Sequence, residues 1–322
     1  MHTIGIVVPV FNEEEALPAF HRLLCQTIDS LPYRFLIYYV NDGSRDGTMT
    51  ILQSICAADA RVTALELSRN FGHQAALTAG LDIAEGDFVI SMDGDGQHPP
   101  ELIPEMLRLA QTGYDIVLTQ RLEDERLPLF KRLTAGWFYR LLNRISDTPV
   151  LPGGADFRLM SRRAVDALRG MREYHRFLRG MVSWMGFRSV ILPYQPPERI
   201  AGRSKYTLRK MLKLARDAVF SFSLVPLYIG LSLGGVMLGL AVLEVIYVLS
   251  LWLSGDRSSL APGWSSLMFM LLFTNGILMI LLGFVGVYVG YIFQEVKRRP
   301  IYLVRSVLRT PQPSAQEDWE GE

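Results

Sequence analysis

The sequence predicts an α/β domain with a mainly parallel sheet, followed by two membrane-spanning helices. Two observations carry that prediction. Residues 1 to about 200 alternate apolar strands with amphipathic stretches, the pattern of helices packed on a parallel sheet. Beyond them come two runs almost without charge: from Val219 to Leu253 the sole Asp, Glu, Lys or Arg is Glu244, and from Ser266 to Phe293 there is none. Each exceeds the roughly 20 apolar residues that a helix needs to cross the hydrocarbon core. The composition agrees, with 49% hydrophobic and 20% charged residues and a mean hydropathy of +0.19, which excludes disorder for most of the chain. The 322 residues leave room for about two domains. Lys plus Arg number 33 against 32 Asp plus Glu, a net of +1, without the basic excess of a nucleic-acid binder.

The elements follow in order. The N-terminus, Met1-His2-Thr3, has no basic region and runs directly into a strand, so it does not read as a signal peptide. Strands are expected at Ile4–Phe11, Phe35–Asn41, Val62–Leu67, Phe88–Met92, Ile116–Thr119 and Val190–Leu192; runs such as Ile6-Val7-Val8 mark burial on both faces. Helical patterns fall at about Glu14–Ile28, Gly47–Ala57, Gln74–Ala84 and Glu101–Gln111. Cys25 and Cys56 show no CxxC or Cys/His ligand pattern, which sets aside disulfide frameworks and zinc sites and leaves buried thiols in a reducing cytosol.

After the domain at 1–203 comes a juxtamembrane segment at 204–225. Arg203, Lys205, Arg209, Lys210, Lys213 and Arg216 interleave there with Leu208, Met211, Leu212, Ala215 and Val219 at helical spacing, as in a helix lying on an anionic membrane surface. The spans are placed at 226–253 and 266–293, joined by a short loop at 254–265 that holds one Arg and one Asp. The cationic stretches before the first span and after the second put both termini and the large domain in the cytoplasm. The tail at 294–322 is polar beyond Pro311 and is expected to be disordered there. Gly230/Gly234, Gly235/Gly239 and Gly286/Gly290 would allow close helix contact. Glu244 lies toward the outer end of its span, where it can snorkel or protonate.

The strongest chemical signal is Ser91-Met92-Asp93-Gly94-Asp95-Gly96-Gln97-His98-Pro99-Pro100-Glu101. It follows an apolar strand and precedes a helix. Two carboxylates at i and i+2 at a strand end suit a hard, oxygen-seeking cation, which lets an acidic loop recruit a diphosphate instead of repelling it. A second acidic turn, Asn41-Asp42-Gly43-Ser44, ends another strand, and the first strand ends in Pro9-Val10-Phe11-Asn12-Glu13. Ligands of open α/β sheets bind at carboxyl strand ends, so the three turns can face one crevice. Neither GxGxxG nor GxxxxGK[ST] is present, which excludes a dinucleotide dehydrogenase and a P-loop NTPase.

With Arg69-Asn70-Phe71-Gly72, Asp156-Phe157-Arg158-Leu159 and Gly202-Arg203-Ser204-Lys205-Tyr206 in the same order, the chain resembles glycosyltransferase family 2, specifically the polyprenyl-phosphate glycosyltransferases with a GT-A fold. The resemblance covers about residues 4 to 305. It implies that Asp42 holds the nucleotide base, that Pro9, Asn12 and Glu13 line the nucleoside pocket, and that Asp93, Asp95 and Gln97 serve Mg²⁺ or Mn²⁺ and the donor diphosphate. It differs at Gly94 and Gly96, where many relatives have Ala and Leu, and at Val287, where relatives often carry Glu. The implied acceptor is undecaprenyl phosphate, met by Arg203 and Lys205 with help from Arg199. Asp156 stands where related enzymes place a general base. An acceptor phosphate already mostly dianionic at neutral pH needs none, so Asp156 is expected to orient the acceptor or stabilise charge at the sugar C1. His98 serves either the donor or the helix start. The expected reaction is inverting transfer of a hexose, first glucose from UDP-glucose, with GDP-mannose or a UDP-4-amino-arabinose-type donor as alternatives. A homo-oligomer, a tetramer among the options, is implied as well. A processive synthase would need Gln-x-x-Arg-Trp and more spans, neither of which is present; a non-catalytic partner that binds sugar nucleotide is the remaining rival.

Overall fold

The computed structural model describes residues 1–122, 154–174, 176–195, 197 and 263–309, with scattered helical positions between 232 and 254. Its core is one sheet made from β1 (Thr3–Val10), β2 (Arg34–Asn41), β3 (Val62–Leu67), β4 (Phe88–Ser91), β5 (Ile116–Arg121), β6 (Gly154–Ser161), β7 (Ser189–Tyr194) and β8 (Val304–Arg309). The spatial order is β7-β5-β6-β4-β1-β2-β3-β8. Strand β1 lies parallel between β2 and β4, and β2 parallel to β3. The helices between them are α1 (Leu17–Ile28), α2 (Thr48–Ala58), α3 (His73–Ile83) and α4 (Ile103–Gln111). Every residue of β1 after Thr3 is buried, as befits a central strand with helices on both faces.

Two strands were not anticipated. β6 runs antiparallel between β4 and β5, followed by α5 (Arg162–Gly170) and α6 (Leu178–Trp184). Ser161 caps α5 by accepting the amide of Ala164. β8 runs antiparallel to β3 at the sheet edge, so six residues assigned by the sequence to the tail belong to the sheet. Tyr302 ties the same segment down by donating its hydroxyl to Asp82 at 2.9 Å.

Helix α3 packs unusually close to the sheet. A Cβ on Gly80 would lie 2.2 Å from Val7 Cγ1 and 3.0 Å from Val40 Cγ2. Gly80→Ala should therefore destabilise the domain by about 1–3 kcal/mol, the usual cost of overpacking. Val7→Ala in the same chain should recover part of that loss, which denaturant melts of the two single variants and the double variant would reveal as non-additivity.

Contacts divide the chain into two units, the first bearing the sheet together with β8. The second carries α7 (Trp264–Val296). Within α7, Phe273–Val296 is 24 residues long and, among the described residues, the one stretch long and apolar enough to cross a membrane. Leu278, Leu282, Val289 and Phe293 all leave more than half of their surface exposed. The described positions between 232 and 254 are helical and exposed. The juxtamembrane segment at 204–225, Glu244 and the tail after Pro311 lie outside the described residues.

Candidate active site

The site is built where β1, β2 and β4 end. Just past β1, Asn12 adopts a left-handed φ of 54°, which turns its side chain toward the β2–α2 loop. Its amide donates to Ser44 Oγ and its Oδ1 accepts the Arg45 amide, both at 2.9 Å. The amide of Glu13 donates to Thr48 Oγ1 at 2.9 Å. Pro9 sits in β1 opposite Val40. The two loops read as nucleoside-binding are thus laced together.

Asp42 follows β2 and is 3% exposed. Its two carboxylate oxygens accept the amides of Phe71 and Gly72 at 2.7 and 2.9 Å, so its visible work is to fold the 69–72 loop over the strand ends. Burial pushes its carboxyl up against the opposing pull of those amides. Gly43 must be glycine here: its φ is +65°, and a Cβ would lie 2.5 Å from the Arg69 carbonyl carbon.

The loop after β4 carries Asp93, Asp95 and Gln97. The Asp93 amide donates to His98 Nδ1 at 2.8 Å. An accepting Nδ1 leaves the proton on Nε2, so His98 is the neutral tautomer, in agreement with burial lowering its pKa. That Nε2 faces Asp93 Oδ2 at 3.6 Å, while the ring stacks on Phe157. His98 is 1% exposed and shapes the loop from beneath. Asp95 Oδ1 accepts the Gln97 amide at 3.0 Å, closing a tight turn. Gln97 Oε1 accepts from Arg121 Nη2 at 3.0 Å, which brings in a cation from the end of β5 that sequence reasoning did not single out.

Antiparallel pairing places the start of β6 beside the end of β4: Ser91 pairs with Arg158, and Ser91 Oγ donates to the Asp156 carbonyl at 2.6 Å. The Asp156 side chain is only 5% exposed and faces three cations. Arg158 bonds one carboxylate oxygen, Arg179 from α6 donates to both at 3.1 and 3.0 Å, and His73 Nε2 lies 3.3 Å away. Burial pushes the Asp156 carboxyl up, but Arg179, His73 and Arg158 outweigh it and hold the group well below the usual carboxylate range.

His73 links the two acidic centres, with Nε2 also 3.5 Å from Asp93 Oδ1. Burial pulls its imidazole down, yet Asp93 and Asp156 overcome that and lift it to about 9, so it is a cation at neutral pH. The signal for it was its place directly after the Arg69–Gly72 motif, at the first position of α3. Arg179 had no such signal. Asp93 and Asp156 flank the same His73 nitrogen, and Asp95 and Gln97 share the loop with Asp93; Arg199, Arg203 and Lys205 lie outside the described residues.

The donors on the β4 loop are all oxygen. Asp93 keeps 30% of its side chain exposed, and two carboxylates leave coordination positions for diphosphate oxygens and water. That set fits Mg²⁺ or Mn²⁺.

Comparison with known proteins places the chain. It is 41% identical over 301 residues to "Uncharacterized glycosyltransferase YkcC" of Bacillus subtilis, covering 94% of this chain and 93% of that protein. It is 39% identical over 307 residues to "Prophage bactoprenol glucosyl transferase homolog" of Escherichia coli, covering 94% and 99%. Among solved structures, the mannosyl-3-phosphoglycerate synthase from Rubrobacter xylanophilus gives only a slight likeness, with a TM-score of 0.46 at 17% identity over 67% of this chain and 71% of that one. The model of "Glycosyl transferase family 2" matches residues 5–169, which contain every described motif of the crevice. The chain belongs to that family and is a glycosyltransferase with the GT-A form of the α/β fold.

Proposed function

We propose that the enzyme transfers a hexose, glucose first, from a nucleotide-diphosphate sugar to a polyprenyl phosphate such as undecaprenyl phosphate at the cytoplasmic face of a membrane. The observation that carries this reading is the pairing of an acidic, cation-ready loop with a buried carboxylate surrounded by three cations, side by side at the strand ends. The first suits a donor diphosphate and the second an anionic acceptor. The relative whose name specifies a bactoprenol glucosyl transferase supports both glucose and a polyprenyl acceptor. The exposed apolar α7 supports the membrane location; we read it as the second of two spans, with both termini cytoplasmic, in an enzyme that forms a homo-oligomer.

In this reading Asp93 and Asp95 hold Mg²⁺ or Mn²⁺, which when bound offsets the charge of the departing nucleoside diphosphate. Arg121, fixed by Gln97, adds a cation on the same side. Asp156 is too weak a base to take a proton, and a largely dianionic phosphate offers it almost none. Its role is to hold Arg179 and His73, whose side chains keep 34% and 41% exposure, pointed at the acceptor phosphate. Arg203 and Lys205 meet the same phosphate. The phosphate oxygen then attacks C1 in line, so an α-linked donor gives a β-linked product. Most of the acceleration comes from alignment and fixed charge.

The test uses purified protein in lipid with undecaprenyl phosphate, Mg²⁺ or Mn²⁺, and radiolabelled UDP-glucose, UDP-galactose, UDP-N-acetylglucosamine or GDP-mannose in separate reactions. Label from UDP-glucose should enter the organic phase and stop doing so with EDTA. Label from another donor alone would correct the sugar. No transfer with preserved nucleotide-sugar binding would point to a rarer donor or to the non-catalytic rival. An α-linked product by NMR would refute inversion.

A further inference from the structure

A second cluster of ligand-type side chains lies away from the crevice, where α1 and α2 end and β3 begins. His21 and Cys25 stand one turn apart on α1, and Asp59 follows α2. Their ligand atoms all lie within 4.8 Å of one another. His21 Nε2 is 3.6 Å from Cys25 Sγ, and Sγ is 3.9 Å from Asp59 Oδ2. A tetrahedral zinc with ordinary bond lengths has N···S and S···O edges of about 3.6 and about 3.5 Å, so the first edge already matches and the second must close by a few tenths. The other ring nitrogen, Nδ1, lies 3.0 Å from the hydroxyl of Tyr39, which is wholly buried in β2. Metal-bound imidazoles are oriented by such a partner on the far nitrogen.

Arg61 shows that the position favours positive charge. Its Nη2 donates to Asp59 Oδ2 at 2.8 Å and lies 3.7 Å from Cys25 Sγ. The guanidinium also reaches Asp29 at 2.6 Å. Arg61 and Asp29 line an open cleft of about 350 Å³, so Nη2 can withdraw from the thiol while Nη1 keeps Asp29. Asp59 Oδ1 accepts the Arg61 amide at 2.9 Å and its Nε at 3.0 Å, while Oδ2 accepts Nε at 3.1 Å and Nη2 at 2.8 Å, so an ion takes Oδ2 only by displacing the guanidinium from it.

We propose that His21, Cys25 and Asp59 form a second metal site, for Zn²⁺, separate from the Asp93–Gln97 loop, with Arg61 as the cation that holds the ligands when no ion is bound. One imidazole nitrogen, one thiolate and one carboxylate with a fourth position for water suit a borderline-soft ion. Binding expels the thiol proton to solvent. Burial pushes that thiol up to about 11, so the proton opposes binding and the site is weaker than one built on a ready thiolate. The ion would clamp α1 to the α2–β3 turn. The sequence analysis set zinc aside for want of a CxxC or Cys/His pattern; the fold instead brings Asp59 to Cys25 across a separation of 34 residues.

The test is a Co²⁺ titration of the full-length protein, without a histidine tag, in detergent or lipid. Co²⁺ on Asp93 and Asp95 sees only oxygen, so a thiolate-to-cobalt charge-transfer band reports the second site alone. The expected band saturates at one equivalent per chain and is displaced by Zn²⁺. It is absent in Cys25→Ser, kept in Cys56→Ser and tightened by Arg61→Gln, whereas Tyr39→Phe weakens binding by about tenfold. No band in the native protein, or a band that survives Cys25→Ser, would overturn the site. Should Cys25→Ser not fold, His21→Gln keeps the thiol and must weaken binding; unchanged affinity there would overturn it equally.

Discussion

Asp156→Asn is expected to lower turnover by about 10²-fold or more and to destabilise the sheet unit by about 3–5 kcal/mol, as when one partner of a buried ion pair is removed. The side chain is 5% exposed, and Arg158 beside it is 2% exposed. An amide fills the same space but leaves the Arg158 guanidinium buried without its counter-charge and loosens Arg179 and His73. The pH dependence has a definite sign. The folded-state pKa is depressed well below its ordinary 3.8, so the stabilisation is fully present above that value and is lost as pH falls through the folded pKa. The stability gap between native protein and variant should therefore be widest between about pH 5 and pH 6.5, narrowing in acid as Asp156 protonates and again as pH rises toward the pKa of about 9 to which Asp156 helps lift His73. Denaturant melts across pH, with turnover assayed at neutral pH, check both parts. A variant as stable as the native protein would mean that the three cations do not depend on this carboxylate.

What the sequence reveals and what it conceals divide along physical lines. The parallel strands announce themselves because burial on both faces demands runs such as Ile6-Val7-Val8, and Val62–Leu67 is found at its true bounds. β6 hides because Asp156 and Arg158 interrupt it; charged residues argue against a central strand, and only their mutual neutralisation makes one possible. β8 hides because Val304–Arg309 mixes apolar residues with arginine and serine without a two-residue period and follows a long apolar helix, where a tail is the natural reading. In the crevice the acidic loop was legible, since two carboxylates two residues apart at a strand end carry their chemistry locally. The cations were not. His73, Arg121 and Arg179 reach the site from three elements, the first and last 106 residues apart, and no local spacing marks them.

Asp95→Asn should have the opposite profile from Asp156→Asn, leaving folding intact and removing the chemistry. One structural task of Asp95 is to accept the Gln97 amide through Oδ1 at 3.0 Å, and an asparagine carbonyl can do the same. Its stability should therefore stay within about 0.5 kcal/mol of the native protein. What the amide cannot supply is the second negative charge beside Asp93. If the pair holds the divalent ion, losing that charge weakens the ion exactly where diphosphate charge develops, a role that elsewhere supplies several kcal/mol of transition-state stabilisation. Each 1.36 kcal/mol is tenfold in rate, so turnover should fall by about 10²- to 10³-fold. Raising Mn²⁺ should restore part of it, since a weakened site can still be filled by mass action. A folded variant with unchanged turnover would remove Asp95 from the metal site. A loss that no Mn²⁺ concentration relieves would instead place Asp95 against the donor, where its charge acts on the sugar or diphosphate without the ion between them.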